Sequence, residues 1–344
     1  TTLLVFGTKI GARVDGAMTV LKIAIVFFVV IVGFFYVKAS NFTPFIPPSQ
    51  PASTVEGSSA VTGVMTQPLW QFATGMTPSV YGVPGILSGA ALVFFAFIGF
   101  DVVATASEET KNPHKNVPLG IGVGMLLIIV MYMLVAVVTT GMVSYADLAK
   151  QDSPSLATAF ELVGADWAAK IISFGIVLGL ATVVMVLLLG LTRIVFAMSR
   201  DGLLPRGLSK TGKHGTPAAL QIVVGAVVAL VAAFFDIGVL SDMVNIGTLS
   251  AFTLVAISIP IMRKKRPDLP RAFKMPGSPW IPILIAVANF WLMLNLSVLT
   301  WIRFVVWLVV GFAIYFGYGY WHARLGKGDL TETLSAETDK AVNG

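Results

Sequence analysis

The sequence predicts an all-α polytopic membrane protein. Three observations predict it: the scarcity of charge, the length of the apolar runs and the placement of positive residues. Of 344 residues, 56% are hydrophobic and only 12% charged, about half the charged share of a soluble domain. The apolar residues collect in eight runs, at about 17–37, 84–107, 117–142, 169–198, 217–235, 239–262, 280–300 and 302–321. Each approaches the roughly 20 residues that carry a helix across a bilayer core. Lipid permits only helices or closed barrels, and these runs are too long and too weakly alternating for barrel strands.

Positive residues mark the cytoplasmic loops of a membrane protein, and here every second loop is basic. Lys9 and Arg13 precede the first run, Lys111 and Lys115 follow the second, and Arg200, Arg206, Lys210 and Lys213 follow the fourth. Arg263–Arg266 with Arg271 and Lys274 follow the sixth, and Arg324 and Lys327 the eighth. Both chain ends are therefore expected inside. The net charge of +6 is spent on topology and gives no support for a nucleic-acid partner.

The expected organisation follows in order. Residues 1–16 read as the stub of a preceding helix and a cytoplasmic turn, since "TTLLVFG" looks like the end of an apolar span whose beginning is absent. Residues 17–38 form the first full span. Residues 39–83, rich in Pro, Ser, Thr and Gly, form a long external loop, either functional or partly disordered. Five spans occupy 84–262, a basic cytoplasmic loop 263–279, two further spans 280–323 and a polar cytoplasmic tail 324–344. Trp280, Trp301, Tyr318 and Trp321 sit near span ends as interfacial aromatics do.

Several chemistries are not expected. The chain has no cysteine, and its three histidines, His114, His214 and His322, lack metal-ligand spacing. Neither a metal nor a cofactor is expected. No nucleophile–base pair or carboxylate dyad emerges, so an enzyme is not expected either.

Ionisable residues inside spans are costly and by default suggest function. Lys22, in "MTVLKIAIVFF", lies about six residues inside its span, roughly 9 Å at 1.5 Å per residue. Two readings stay open: a functional ammonium, or a stem that snorkels to the interface. Asp101, in "FFAFIGFDVVATAS", either lines a site or caps a second helical segment. Both readings require a broken helix, which membrane depth tolerates only beside protein or a cavity. Gly99 would allow the irregular backbone, and Phe95, Phe97 and Phe100 would supply apolar walls. Arg193 reads as a cytoplasmic anchor. "NIGTLSAFT" places Asn245, Thr248, Ser250 and Thr253 within one span, for interhelical hydrogen bonding or, at Asn245 and Thr248, gating. Gly120, Gly122 and Gly124 suit close helix packing.

"FFAFIGFDVVATASEETKNP", "SRDGLLP" and "NIGTLSAF" resemble the amino acid–polyamine–organocation permeases. Within them the chain is similar to the cationic amino acid transporter group and to bacterial, proton-coupled ApcT-type relatives. The resemblance implies the LeuT fold: two inverted five-helix repeats plus two accessory helices. The eight spans would be helices five to twelve, with helices one to four, and the seat of the substrate's α-carboxylate, absent from this chain. Backbone carbonyls around Phe95, Ala96 and Ile98 would then hold the substrate amino group. Phe95, Ile98, Gly99 and Asp101 would border the side-chain pocket, with Leu187 where family members often carry Met. Lys22 would replace the sodium ion of sodium-coupled relatives, faced by Ala181 and Thr182. The implied activity is proton-coupled symport of cationic or neutral amino acids across the plasma membrane by alternating access. Its partners are then an amino acid, a proton and the bilayer. Exchange, or a sensor or partner subunit that does not transport, remain alternatives.

Overall fold

The structure, a computed structural model, describes residues 8–54, 63–100, 103, 110, 112–151, 154–205, 207, 218–267, 275 and 277–323. In chain order the helices are α1 (Thr8–Phe34), α2 (Leu69–Thr74), α3 (Gly82–Val93), α4 (Pro113–Met142), α5 (Tyr145–Ala149) and α6 (Leu156–Leu162). They continue with α7 (Asp166–Arg200), α8 (Ala218–Phe234), α9 (Ile237–Lys265), α10 (Trp280–Leu294) and α11 (Val298–Ile314). The last of these runs on through a π-helical turn, Tyr315–Gly319. Among the described residues the only sheet is a two-residue antiparallel ribbon, β1 (Gln50–Pro51) with β2 (Ser79–Val80).

Among the described residues, five segments are long and apolar enough to cross a membrane: Gly16–Phe34, Lys115–Met142, Asp166–Arg200, Ile237–Lys265 and Val298–His322. Gly82–Phe97, Ala219–Phe234 and Trp280–Leu294 are shorter apolar helices. Large apolar side chains such as Phe174, Val177 and Leu180 stand exposed along α7, an arrangement that suits a lipid solvent and not water. The chain is thus a helical, multi-pass membrane protein.

Three boundaries differ from the sequence reading. α1 begins at Thr8, inside the stretch read as a turn, and ends at Phe34. Its single glycines, Gly11 and Gly16, each cost only about 1 kcal/mol in a helix and do not end one. The helix expected over 84–107 stops at Val93, for reasons given below. That expected over 280–300 stops at Leu294, because the Asn295 side chain bonds back to Trp291 O and turns the chain.

The chain divides into two compact units. In the larger, Gly16–Ala181 with Phe235–Phe304, two apolar cores form. One joins Val29 of α1, Val138 and Met142 of α4, Phe160 of α6 and Ile172 of α7. Glycine lets the helices approach here. A Cβ on Gly33 would sit 2.8 Å from Met142 Sδ, and one on Gly175 would strike Ile25. The other core joins Ala91 of α3, Ile246 and Leu249 of α9, and Met293 and Leu296.

The 39–83 connection is partly built into this unit. Leu69 N–H donates to Leu296 O (3.0 Å), Val298 N–H to Gln67 O (3.1 Å) and Leu299 N–H to Met65 O (2.8 Å). Trp70 Nε1 donates to Asn295 Oδ1 at 2.9 Å and its ring stacks on Trp291. These bonds clamp residues 65–70 onto the α10–α11 turn.

The smaller unit contains Thr182–Phe234 and Val305 onward. It holds the "SRDGLLP" turn. Buried Ser199 donates to Pro205 O at 2.6 Å, and Leu203 N–H returns to Met198 O at 2.9 Å. Gly202, at φ +83°, lies against the His322 carbonyl, where a Cβ could not fit.

Candidate functional site

The site grows out of the end of α3. After Val93 the chain tightens into a 3₁₀ turn, Phe94–Phe97, closed by Ile98 N–H donating to Phe95 O at 3.2 Å. Ile98 is extended (φ −67°, ψ 138°) and Gly99 takes φ +122°. A side chain at that φ would be strained, although no described residue lies within 4 Å of where a Cβ would stand. Glycine is needed here for its backbone and not for its size. A continuous helix would pair the Ala96 carbonyl with the N–H of residue 100; the turn at Ile98 and Gly99 forbids that.

Neighbouring helices stabilise the break. The Tyr132 hydroxyl, on α4, donates to Ala96 O at 2.7 Å. Its ring meets Phe97 edge-on at 5.1 Å. From α9, Phe252 touches both sides of the break, at 6.2 Å from Phe94 and 5.3 Å from Phe100. Tyr132 lies ten residues before the end of α4, about 15 Å along its axis.

On the N-terminal side of the break lies a cavity of about 920 Å³. Ser88 and Leu92 of α3 face it, with Val137 of α4, Tyr81, Tyr145 and one carboxylate, Asp242. Thr300 Oγ1 donates to Asp242 Oδ2 at 3.1 Å and lies 2.7 Å from Ser297 Oγ. The cavity is mostly apolar, with that carboxylate near one end of α9.

The residues singled out from the sequence fall as follows. Phe95 and Ala96 are exposed at the break, and Ile98 and Gly99 are half-buried there. Asp101 lies outside the described residues. Lys22 is half-buried on α1, with its stem laid along α7. A Cβ on Gly179 would stand 3.9 Å from Lys22 Cγ and 4.0 Å from Cε. Ala181 belongs to the same unit as Lys22, whereas Thr182 and Leu187 belong to the other. There Thr182 is buried and Leu187 exposed.

Within "NIGTLSAFT" the members separate. Ser250 and Thr253 donate back into α9, to Gly247 O and Leu249 O, both at 2.7 Å. Thr248 is half-buried. Asn245 is fully buried, and neither amide atom has a hydrogen-bond partner among the described residues.

Sequence reasoning missed Tyr132, Phe252 and Asp242. The first two carry no local signal, since aromatics are ordinary in membrane helices. Asp242 did carry one, as an acid just inside an apolar run. Chemically, the arrangement offers backbone carbonyl oxygens at membrane depth beside aromatic walls. That suits a positively charged group with an apolar neighbour. Among the described residues no group of His, Cys, Asp or Glu is placed to hold a metal ion.

A family model described as amino acid permease matches residues 1–319. The chain is 42% identical over 328 residues to a branched-chain amino acid permease of Bacillus subtilis, covering 95% of this chain and 63% of the relative. It is 38% identical over 328 residues to a methylthioribose transporter of the same organism, covering 95% and 64%. It is 45% identical over 195 residues to the mitochondrial cationic amino acid transporter 3 of Arabidopsis thaliana, covering 56% and 31%. The chain thus spans under two thirds of the length of these relatives. All three are transporters or permeases by name, and none is an enzyme.

Proposed function

The chain belongs to the amino acid permease family, and on that premise we propose that it forms part of a secondary active transporter of amino acids. The observation that carries the reading is the break at Phe94–Gly99, which turns backbone carbonyls out of an apolar helix. Half-helix ends at mid-membrane suit zwitterions. The substrate's ammonium would sit against the carbonyls of Phe95, Ala96 and Ile98, with Phe95, Ile98, Gly99 and Asp101 beside its side chain. Asn245 and Thr248 would gate that pocket.

Its architecture, in this reading, would be the LeuT-type inverted repeat. These helices would be the fifth to twelfth, and earlier helices would seat the α-carboxylate. Both chain ends would lie on the cytoplasmic side of the plasma membrane. Coupling would be to a proton on Lys22, whose stem packs on α7 at Gly179, with Ala181 as its neighbour in the cycle. Proton and substrate then bias one conformational equilibrium, the requirement for coupled transport.

One relative is named for a thio-sugar, so a second reading is a neutral, polar substrate that lacks an ammonium. The experiment reconstitutes the native polypeptide in liposomes under an imposed pH gradient and measures uptake of labelled leucine, arginine, alanine and methylthioribose. Gradient-driven accumulation of an amino acid, abolished in Lys22→Ala, is the expected result. Accumulation of methylthioribose alone selects the second reading. Unchanged gradient-driven uptake in Lys22→Ala removes the lysine from coupling.

A further inference from the structure

We infer that Tyr132 is a positioning residue for the substrate's amino group, acting through the carbonyl of Ala96; this rests on the transport reading above. Three facts converge on that carbonyl. It belongs to the turn that ends α3, and the Ile98–Gly99 backbone denies it the N–H a continuous helix would supply. The Tyr132 hydroxyl takes that donor's place at 2.7 Å. The same ring is fixed by an edge contact to Phe97, 5.1 Å away on the same turn. Tyr132 therefore grips the break twice, by hydroxyl and by ring.

A carbonyl oxygen has two lone pairs. With one engaged by Tyr132, the oxygen's direction is set by α4 and not by its own flexible turn, and the other lone pair remains for an ammonium. Phe95 O is occupied in a similar way by Ile98 N–H, so the turn presents oxygens whose geometry is already fixed. Preorganised acceptors bind more tightly because the cost of ordering them is met before the ligand arrives. The hydroxyl would thus strengthen recognition of the part all amino acids share and leave side-chain selectivity alone.

The test uses Tyr132→Phe in the native polypeptide, which keeps the ring on Phe97 and removes only the donor. Two measurements are made. In liposomes, KM and Vmax are measured for leucine, arginine and alanine. The expected result is a rise in KM of about tenfold, equivalent to about 1.4 kcal/mol, by the same factor for each substrate carried, with Vmax within about twofold. In detergent, hydrogen exchange at the Ile98 amide is expected to quicken as the turn loosens. Unchanged exchange overturns the brace. Faster exchange with unchanged KM, or a fall in Vmax alone, overturns the role in substrate positioning and leaves a purely structural tyrosine. A wild type that accumulates none of the three overturns the transport reading and the substrate half of the inference with it, while exchange still reads the brace.

Discussion

α3 and α7 are both apolar helices with glycines along them, yet one breaks and the other does not. α3 stops at Val93 and unwinds through Gly99, whereas α7 runs for 35 residues past Gly175, Gly179 and Gly190. In α7 a missing side chain makes room: Ile25 fills the space at Gly175, while the Lys22 stem lies in ordinary contact distance of Gly179. At Gly99 no described residue stands where a Cβ would go, and the conformation is what matters. The difference teaches that glycine permits a break without causing one. The irregular turn persists where a foreign donor, Tyr132, and a foreign ring, Phe252, compensate for the lost helix.

Four substitutions break or sharpen this comparison. The largest effect is expected at Gly99→Ala. Forcing an L side chain into φ +122° costs about 1–3 kcal/mol, or about 5- to 150-fold in an equilibrium, and uptake by the native polypeptide should fall by that order. Because no neighbour crowds the site, trimming nearby side chains should not restore it. Rescue by a smaller neighbour would show that space, not backbone, decides.

Gly175→Ala should destabilise by overpacking, by about 1–3 kcal/mol, seen as a lower midpoint in thermal unfolding. Here Ile25→Ala in the same chain should recover much of the loss, since Ile25 is what the new methyl meets. Failure of that rescue would erase the contrast with Gly99.

Thr300→Val asks whether the N-terminal end of α9 relies on a borrowed donor as the break does. The hydroxyl it removes serves Asp242 at 3.1 Å, and a loss of about 1 kcal/mol is expected. An unchanged unfolding midpoint would show that Asp242 is satisfied without it.

The smallest effect belongs to a surface turn remote from the break. The Ser144 hydroxyl donates to Asp147 Oδ2 at 2.7 Å, and Lys150 Nζ lies 3.4 Å from Oδ1. The hydroxyl first, and Lys150 second, hold the Asp147 carboxyl below the usual carboxylate range. A carboxyl lowered in the folded state contributes stability above its ordinary pKa, and that contribution fades as pH falls through the folded value. Ser144→Ala should move the Asp147 titration upward, toward an ordinary carboxylate, in an infrared or NMR titration. No movement would assign the lowering to Lys150 alone.

Much of this protein was determined by sequence alone. Long apolar runs with few charges can only be membrane helices, because bilayer thickness and the cost of an unpaired peptide group leave no other solution. "FFAFIGFD" announced a helix break, since a flexible residue and an acid in an apolar run contradict a continuous span. The family was legible in the same residues. Tertiary structure decided what the break leans on. That a tyrosine 36 residues away supplies the missing donor, that Phe252 spans both sides of the turn, and that Gly175 makes room for Ile25 depend on which helix faces meet. An apolar helix in lipid has no polar side to record its orientation, so its sequence leaves that choice to packing. Hydrogen bonds between distant residues, such as those clamping 65–70 onto the α10–α11 turn, are invisible for the same reason: backbone donors carry no sequence signature.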